Sequence, residues 1–192
     1  MAKQTIEIEV PDGKKAIWKD GCIKFVPVNP MEQIKQFEDA YQYLKENNLC
    51  SDLLREYEQV PPGSYSETLC GYRIVVAALT ANEPRHLTTG DHWFPVIQFC
   101  LPEKVEKCWA DHLVGYIESE GQRFAVVGGA SSDGTHAGLG FFLGDGTSQA
   151  WTSISATSVP SKEVAKYISR QFGQLLFEVI YGGVNCTWKW CK

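Results

Sequence analysis

RFAVVGGASSDGTHAGLGFFLGDGTSQAWTSISATSVP, Arg123–Pro160, is the stretch whose reading decides the fold. It is rich in Gly, Ser and Thr, is broken by apolar and aromatic residues, and is almost free of charge. Arg123–Val127 reads as a β-strand that Gly128-Gly129 ends. Gly138–Leu143 and Ala150–Ala156 read as two more short strands, turned by Gly144-Asp145-Gly146. Ser161 then caps the strongest helical pattern in the chain, with Val164, Ile168, Phe172, Leu175, Leu176 and Val179 on one stripe. Gly182-Gly183 suits the end of that helix. Short strands running into an amphipathic helix predict an α+β fold: a twisted antiparallel sheet braced by a C-terminal helix.

Upstream, Leu113–Glu118 pairs naturally with Arg123–Val127 as a hairpin. Trp93–Leu101 is aromatic and β-prone, and Pro95 predicts an edge strand or a strand after a bend. Glu103–His112 reads as either a helical turn or a loop. Three helices are expected before it. Met31–Asn48 carries Ile34, Phe37, Tyr41 and Leu44 on one stripe. Ser51 caps a second helix, with Leu53, Leu54 and Tyr57 facing inward. Ser64 and Glu67 have capping-box spacing for a third, running to about Ala81, with Leu69, Tyr72, Val76 and Leu79 buried.

At the N-terminus, Ile6, Ile8 and Val10 alternate with Glu7 and Glu9, the period of a half-exposed strand. Asp20-Gly21 lies between two β-prone runs and predicts a tight hairpin. Residues 4–26 are therefore expected as a small three-stranded antiparallel piece. The expected organisation is a β-hairpin appendage over residues 1–28 and a single α+β domain over residues 29–192.

Composition narrows the function classes. The formal charge is -5, which argues against a nucleic-acid footprint. No run reaches the ~18 apolar residues of a membrane span. MAKQTIEIEVPDG has no apolar signal core, so a cytoplasmic protein with reduced thiols is expected, or a virion protein if the chain is phage-derived. Seven Cys and four His make chance pairing easy, and no Cys sits in a nucleophile motif. Cys70 and Cys100 fall among apolar residues and read as small buried hydrophobes. A metal alternative joins His86, His92, Cys108 and His112; Cys108 and His112 share a helix face if that segment is helical. No zinc motif supports it, and solvent-facing histidines are the preferred reading. Gly138, Gly140 and Gly144 do not form a phosphate loop, so no nucleotide and no other cofactor is expected.

The remaining constellation is a contact surface. Ser131, Ser132, Asp133, Thr135 and His136 cluster on an expected loop, as do Thr147, Ser148 and Gln149, with Trp151 close by. Short hydroxyls and amides beside a rigid aromatic suit a glycan or protein partner. The expected ligand-binding set is Asp133, His136, Trp151, Ser131, Thr135 and Gln149, and the competing reading is ordinary turn residues around a core Trp. A Cys/His-dependent hydrolase or zinc enzyme is one alternative. The other is a structural subunit that forms a homo-oligomer through residues 1–28.

Three stretches carry a resemblance: IEIEVPDGKKAIWKDGCIKFV (6–26), HWFPVIQF (92–99), and GLGFF (138–142) with SKEVAKYISRQFGQLLFEVI (161–180). Together they resemble a group of uncharacterised proteins of gut Bacteroidetes and their prophages. The group's Gly-x-Arg-Leu strand is replaced here by Thr157-Ser158-Val159-Pro160. The resemblance implies no catalytic residue. Its phage context implies a non-enzymatic virion or surface-interaction role, and a C-type-lectin-like sheet is the fold analogy.

Overall fold

The computed structural model describes residues 7–11, 13–82, 93–103, 105, 110–119, 121–131, 138–142, 147–151, 158–182 and 189–191. Within the strands it describes the backbone alone of residues 27, 119, 131, 138–142 and 147–151. The fold is α+β.

The chain begins with β1 (Lys14–Lys19) and β2 (Cys22–Pro27), an antiparallel pair that forms its own two-stranded sheet. Asp20 and Gly21 both have positive φ, 55° and 76°, as a two-residue hairpin turn requires. Among the described residues the expected third strand does not join this sheet, and residues 4–6 of it lie outside them. Glu7–Val10 is exposed and carries no ladder, so its alternation of Ile and Glu does not by itself secure a partner.

Helix α1 (Pro30–Gln33) and α2 (Phe37–Glu46) occupy the span predicted as one helix. Ile34 between them is buried and extended, at φ -91° and ψ 101°. The Asp39 carboxylate accepts the Lys35 and Gln36 N–H groups at 2.8 and 3.1 Å and so starts α2 afresh. Those bonds, that from Lys35 foremost, hold the Asp39 carboxyl below its ordinary range. The carbonyls of the break are met from far along the chain: Tyr167 Oη donates to Ile34 at 2.7 Å, and Gln171 Nε2 to Lys35 at 2.7 Å. Helix α3 (Ser51–Gln59) starts one residue earlier than predicted, with Cys50 in the left-handed region at its N-cap. Helix α4 (Tyr65–Leu79) is capped as predicted, Ser64 Oγ accepting from the Glu67 N–H at 3.2 Å.

A six-stranded sheet follows: β3 (Phe94–Cys100), β4 (Leu113–Ser119), β5 (Gln122–Ser131), β6 (Gly138–Phe142), β7 (Thr147–Trp151) and β8 (Lys189–Cys191). Its order is β6-β7-β3-β5-β4-β8, with every neighbour antiparallel. Strand β3 is internal, so of the two expectations for Pro95 the edge strand is excluded. Trp93 exchanges both backbone bonds with Val159 at 2.8 Å, and among the described residues β7 pairs with β3 from Ile97 onward. By alternation, the N–H that Pro95 lacks falls on the side of Val159 and β7.

The C-terminal helix is also two helices, α5 (Lys162–Gln171) and α6 (Gly173–Tyr181), broken at Phe172. Gly173 sits where a Cβ would lie 2.2 Å from the Val114 side chain. The sheet's helical face, with Ile97, Phe99, Ile117 and Val126, packs on Ile168, Leu176 and Phe177, and α4 closes the layer behind α6. The opposite face holds a smaller cluster of Cys100, Val105, Ala125 and Val127. Strand β5 runs on through Gly128-Gly129, which sequence reading placed at its end. At Gly128 an added Cβ would lie 2.7 Å from the Ser169 carbonyl oxygen, so glycine there lets α5 approach the sheet.

Candidate functional site

The loop site expected from sequence is only partly within view. Asp133, Thr135 and His136, with Ser132, lie outside the described residues. Ser131 ends β5 opposite Phe94. Gln149 and Trp151 belong to β7, opposite Gly140 and Gly138, so the Thr147–Gln149 group is strand and not loop. The ladder from Phe142↔Thr147 onward recruits these hydroxyl and amide residues into the sheet despite their turn-like chemistry. Ser131 and Gln149 flank β3 on opposite sides, at Phe94 and Gln98. That is roughly 13 Å apart along the strand, so their backbones do not converge on one small ligand.

Of the four metal candidates, His86, His92 and Cys108 lie outside the described residues. His112 ends a 3-10 turn (Ala110–His112), and Arg170 Nη2 stands 2.9 Å from its Nδ1. The same Nδ1 lies 3.4 Å from the Gly128 carbonyl oxygen, and the tautomer decides which of the two contacts is a hydrogen bond. A fixed positive charge beside His112 opposes a second cation there. Among the described residues, no group of three His, Cys, Asp or Glu is placed to hold a metal ion. The cavity beside this pair, about 470 Å³, is lined by Leu113, Gly115, Tyr116, Gln174 and Trp190, with Arg170 at its rim. Trp190 lies so close over Gly115 that a Cβ there would be 2.5 Å from the indole.

The thiol alternative fares poorly at the two described buried positions. Cys70 is sealed, its Sγ 3.4 Å from Glu56 Oε1. Burial first, and the Glu56 carboxylate second, push its pKa up and keep it as the thiol. Cys100 is fully buried in β3. Neither presents a thiolate to a substrate.

The surface that stands out lies on the N-terminal piece, which the sequence offered as an appendage and, in one alternative, as the place where copies of the chain assemble. In the β1–β2 register Trp18 faces Ile23 and Ala16 faces Phe25, so all four side chains share one face of the hairpin. Trp18 is 73% exposed, and Ile23 and Phe25 are 37% and 38% exposed. The other face, with Lys15, Ile17 and Val26, turns toward the body, and Lys15 pairs with Glu32 at 2.6 Å. A signal for this face was present: a two-residue Asp-Gly turn fixes the pairing of every residue behind it. What the pattern could not state is that, among the described residues, none covers that face. Compared with protein-family models, curated proteins and solved structures, the chain matches none.

Proposed function

We propose that the protein is a non-enzymatic assembly module that takes up an extended polypeptide segment on the β1–β2 hairpin. The observation that carries this reading is the solvent-facing row of Ala16, Trp18, Ile23 and Phe25 on a sheet of two strands, with no further strand at either edge among the described residues. A two-stranded sheet alone is marginal, and an unpaired edge offers N–H and C=O groups to an incoming strand. Strand addition satisfies both needs: main-chain bonds supply affinity, and alternate side chains supply selectivity.

The charge of the hairpin defines the chemistry of the segment. Strand β1 carries Lys14, Lys15 and Lys19. Lys19 makes no ion pair among the described residues. A segment that alternates Ile or Val with Glu presents its apolar side to Trp18 and its acidic side to Lys15 and Lys19, which lie on the opposite face from Lys14 and Trp18. Among the described residues no helix is long and apolar enough to cross a membrane.

The test is a titration of dilute, isotope-labelled full-length protein with a short synthetic peptide alternating Ile or Val with Glu. The expected result is saturable shifts of the Ala16 and Trp18 amides, lost in Trp18→Lys. Unmoved hairpin amides at about millimolar peptide, a free energy of only about 4 kcal/mol, overturn the reading.

A further inference from the structure

We infer that the segment taken up by the hairpin is the chain's own arm, Glu7–Pro11, supplied by a second copy, so that two copies exchange arms about a two-fold axis. The inference rests on the strand-accepting role of the hairpin proposed above. The arm meets the chemical description of the ligand. It alternates Glu7 and Glu9 with Ile8 and Val10, and Ile8 and Val10 are 44% and 41% exposed. It joins no sheet in its own copy. Pro11 is tied to its own copy, its carbonyl accepting from the Lys14 N–H at 3.1 Å, while Glu7–Val10 carries no ladder. An apolar segment without a ladder, in a chain with an open strand edge, is the arrangement from which reciprocal exchange arises.

The register follows from hydrogen-bond geometry. Because the turn has two residues, Lys19, Ile17 and Lys15 direct their backbone groups at Cys22, Lys24 and Val26. Ala16 and Trp18 therefore turn N–H and C=O outward, along the free edge of β1. An antiparallel arm that bonds these two groups with Val10 opposite Ala16 and Ile8 opposite Trp18 places its apolar side on the exposed face. The same register sets Glu7 opposite Lys19, and Glu9 opposite Ile17 on the lysine-bearing side. Pro11 then falls opposite Lys15, at a position where the arm needs no N–H. The far edge is less suited, since Pro27 on β2 lacks a donor. Each arm contributes Glu7 and Glu9 to an edge that carries Lys15 and Lys19, so the contact is self-complementary.

The experiment is light scattering on full-length protein from about 1 μM to about 1 mM, the span in which a small strand exchange of this kind falls. Wild type is expected to pass from monomer to dimer. Ile8→Asp, in an arm remote from the core, is expected to abolish the dimer. Glu7→Lys and Lys19→Glu are each expected to weaken it about tenfold, since each reverses one pair in both symmetric contacts. Mixing the Glu7→Lys and Lys19→Glu chains is expected to recover a heterodimer, because both of its arm–edge contacts are then oppositely charged. A wild type monomeric at every concentration, a dimer indifferent to Ile8→Asp, or charge variants that do not rescue one another overturns arm exchange. Concentration-independent pairing of the arm with its own β1 also overturns it. If the chain stays monomeric while the peptide still shifts the Ala16 and Trp18 amides, the strand-accepting reading survives and the second copy is discarded. If neither occurs, both fall.

Discussion

The β1–β2 and β4–β5 pairs are both antiparallel hairpins closed by a turn that ends in a positive-φ glycine, Gly21 in one and Gly121 in the other. They leave their apolar residues in opposite circumstances. In β4–β5, Ile117 and Val126 are fully buried under the C-terminal helices, and Ala125 is fully buried on the reverse face. In β1–β2, Trp18, Ile23 and Phe25 face solvent. The difference is not in the strands. The β4–β5 pair has β3 on one side, β8 on the other and α5 across it. The β1–β2 pair has none of these. A hairpin's side-chain pattern states which residues share a face, and neighbours decide whether that face is core or contact surface.

This contrast can be broken or sharpened by mutation, each variant read by urea unfolding. Leu176→Ala, under the sheet, is expected to cost about 2–5 kcal/mol, because a fully buried side chain leaves a cavity. A cost below about 1 kcal/mol would mean the helices do not cover β4–β5 as described. Gly128→Ala is expected to cost about 1–3 kcal/mol. Its Cβ meets the Ser169 carbonyl, and backbone on both sides cannot yield cheaply. A neutral result would separate α5 from β5. Ser64→Ala removes an N-cap that serves α4 and is expected to cost about 1 kcal/mol. Trp18→Ala is expected to change stability by less than about 0.5 kcal/mol in the dilute monomer, as for an exposed site. Substantial destabilisation there would show that the hairpin face is core after all, and would erase the contrast.

Much of the fold was legible in local chemistry. The Asp20-Gly21 turn, the Ser64 and Ser161 caps, and the stripe from Val164 to Val179 each depend on residues a few positions apart. The helix breaks were not legible. The break at Ile34–Gln36 is held by carbonyl bonds from Tyr167 and Gln171, more than 130 residues away. Next to the break at Phe172, Gly173 lies where a Cβ would meet the Val114 side chain, a neighbour from far back in the chain. Nor was it legible that the strand holding Pro95 is internal, since its neighbours β5 and β7 both come from later in the chain. The contact site was half legible: pairing arithmetic puts Trp18, Ile23 and Phe25 together, but exposure belongs to the whole molecule.

Sequence by itself determined the kinds of element, their turns and caps, and the α+β class, because torsional preference, capping and side-chain period act within a few residues. The tertiary structure alone decided where helices break, which strand is internal, why residue 128 must be glycine, and that one of two similar hairpins goes uncovered. Each of those outcomes depends on atoms brought together from distant parts of the chain. Burial and close approach are properties of such meetings, and no local pattern of residues encodes them.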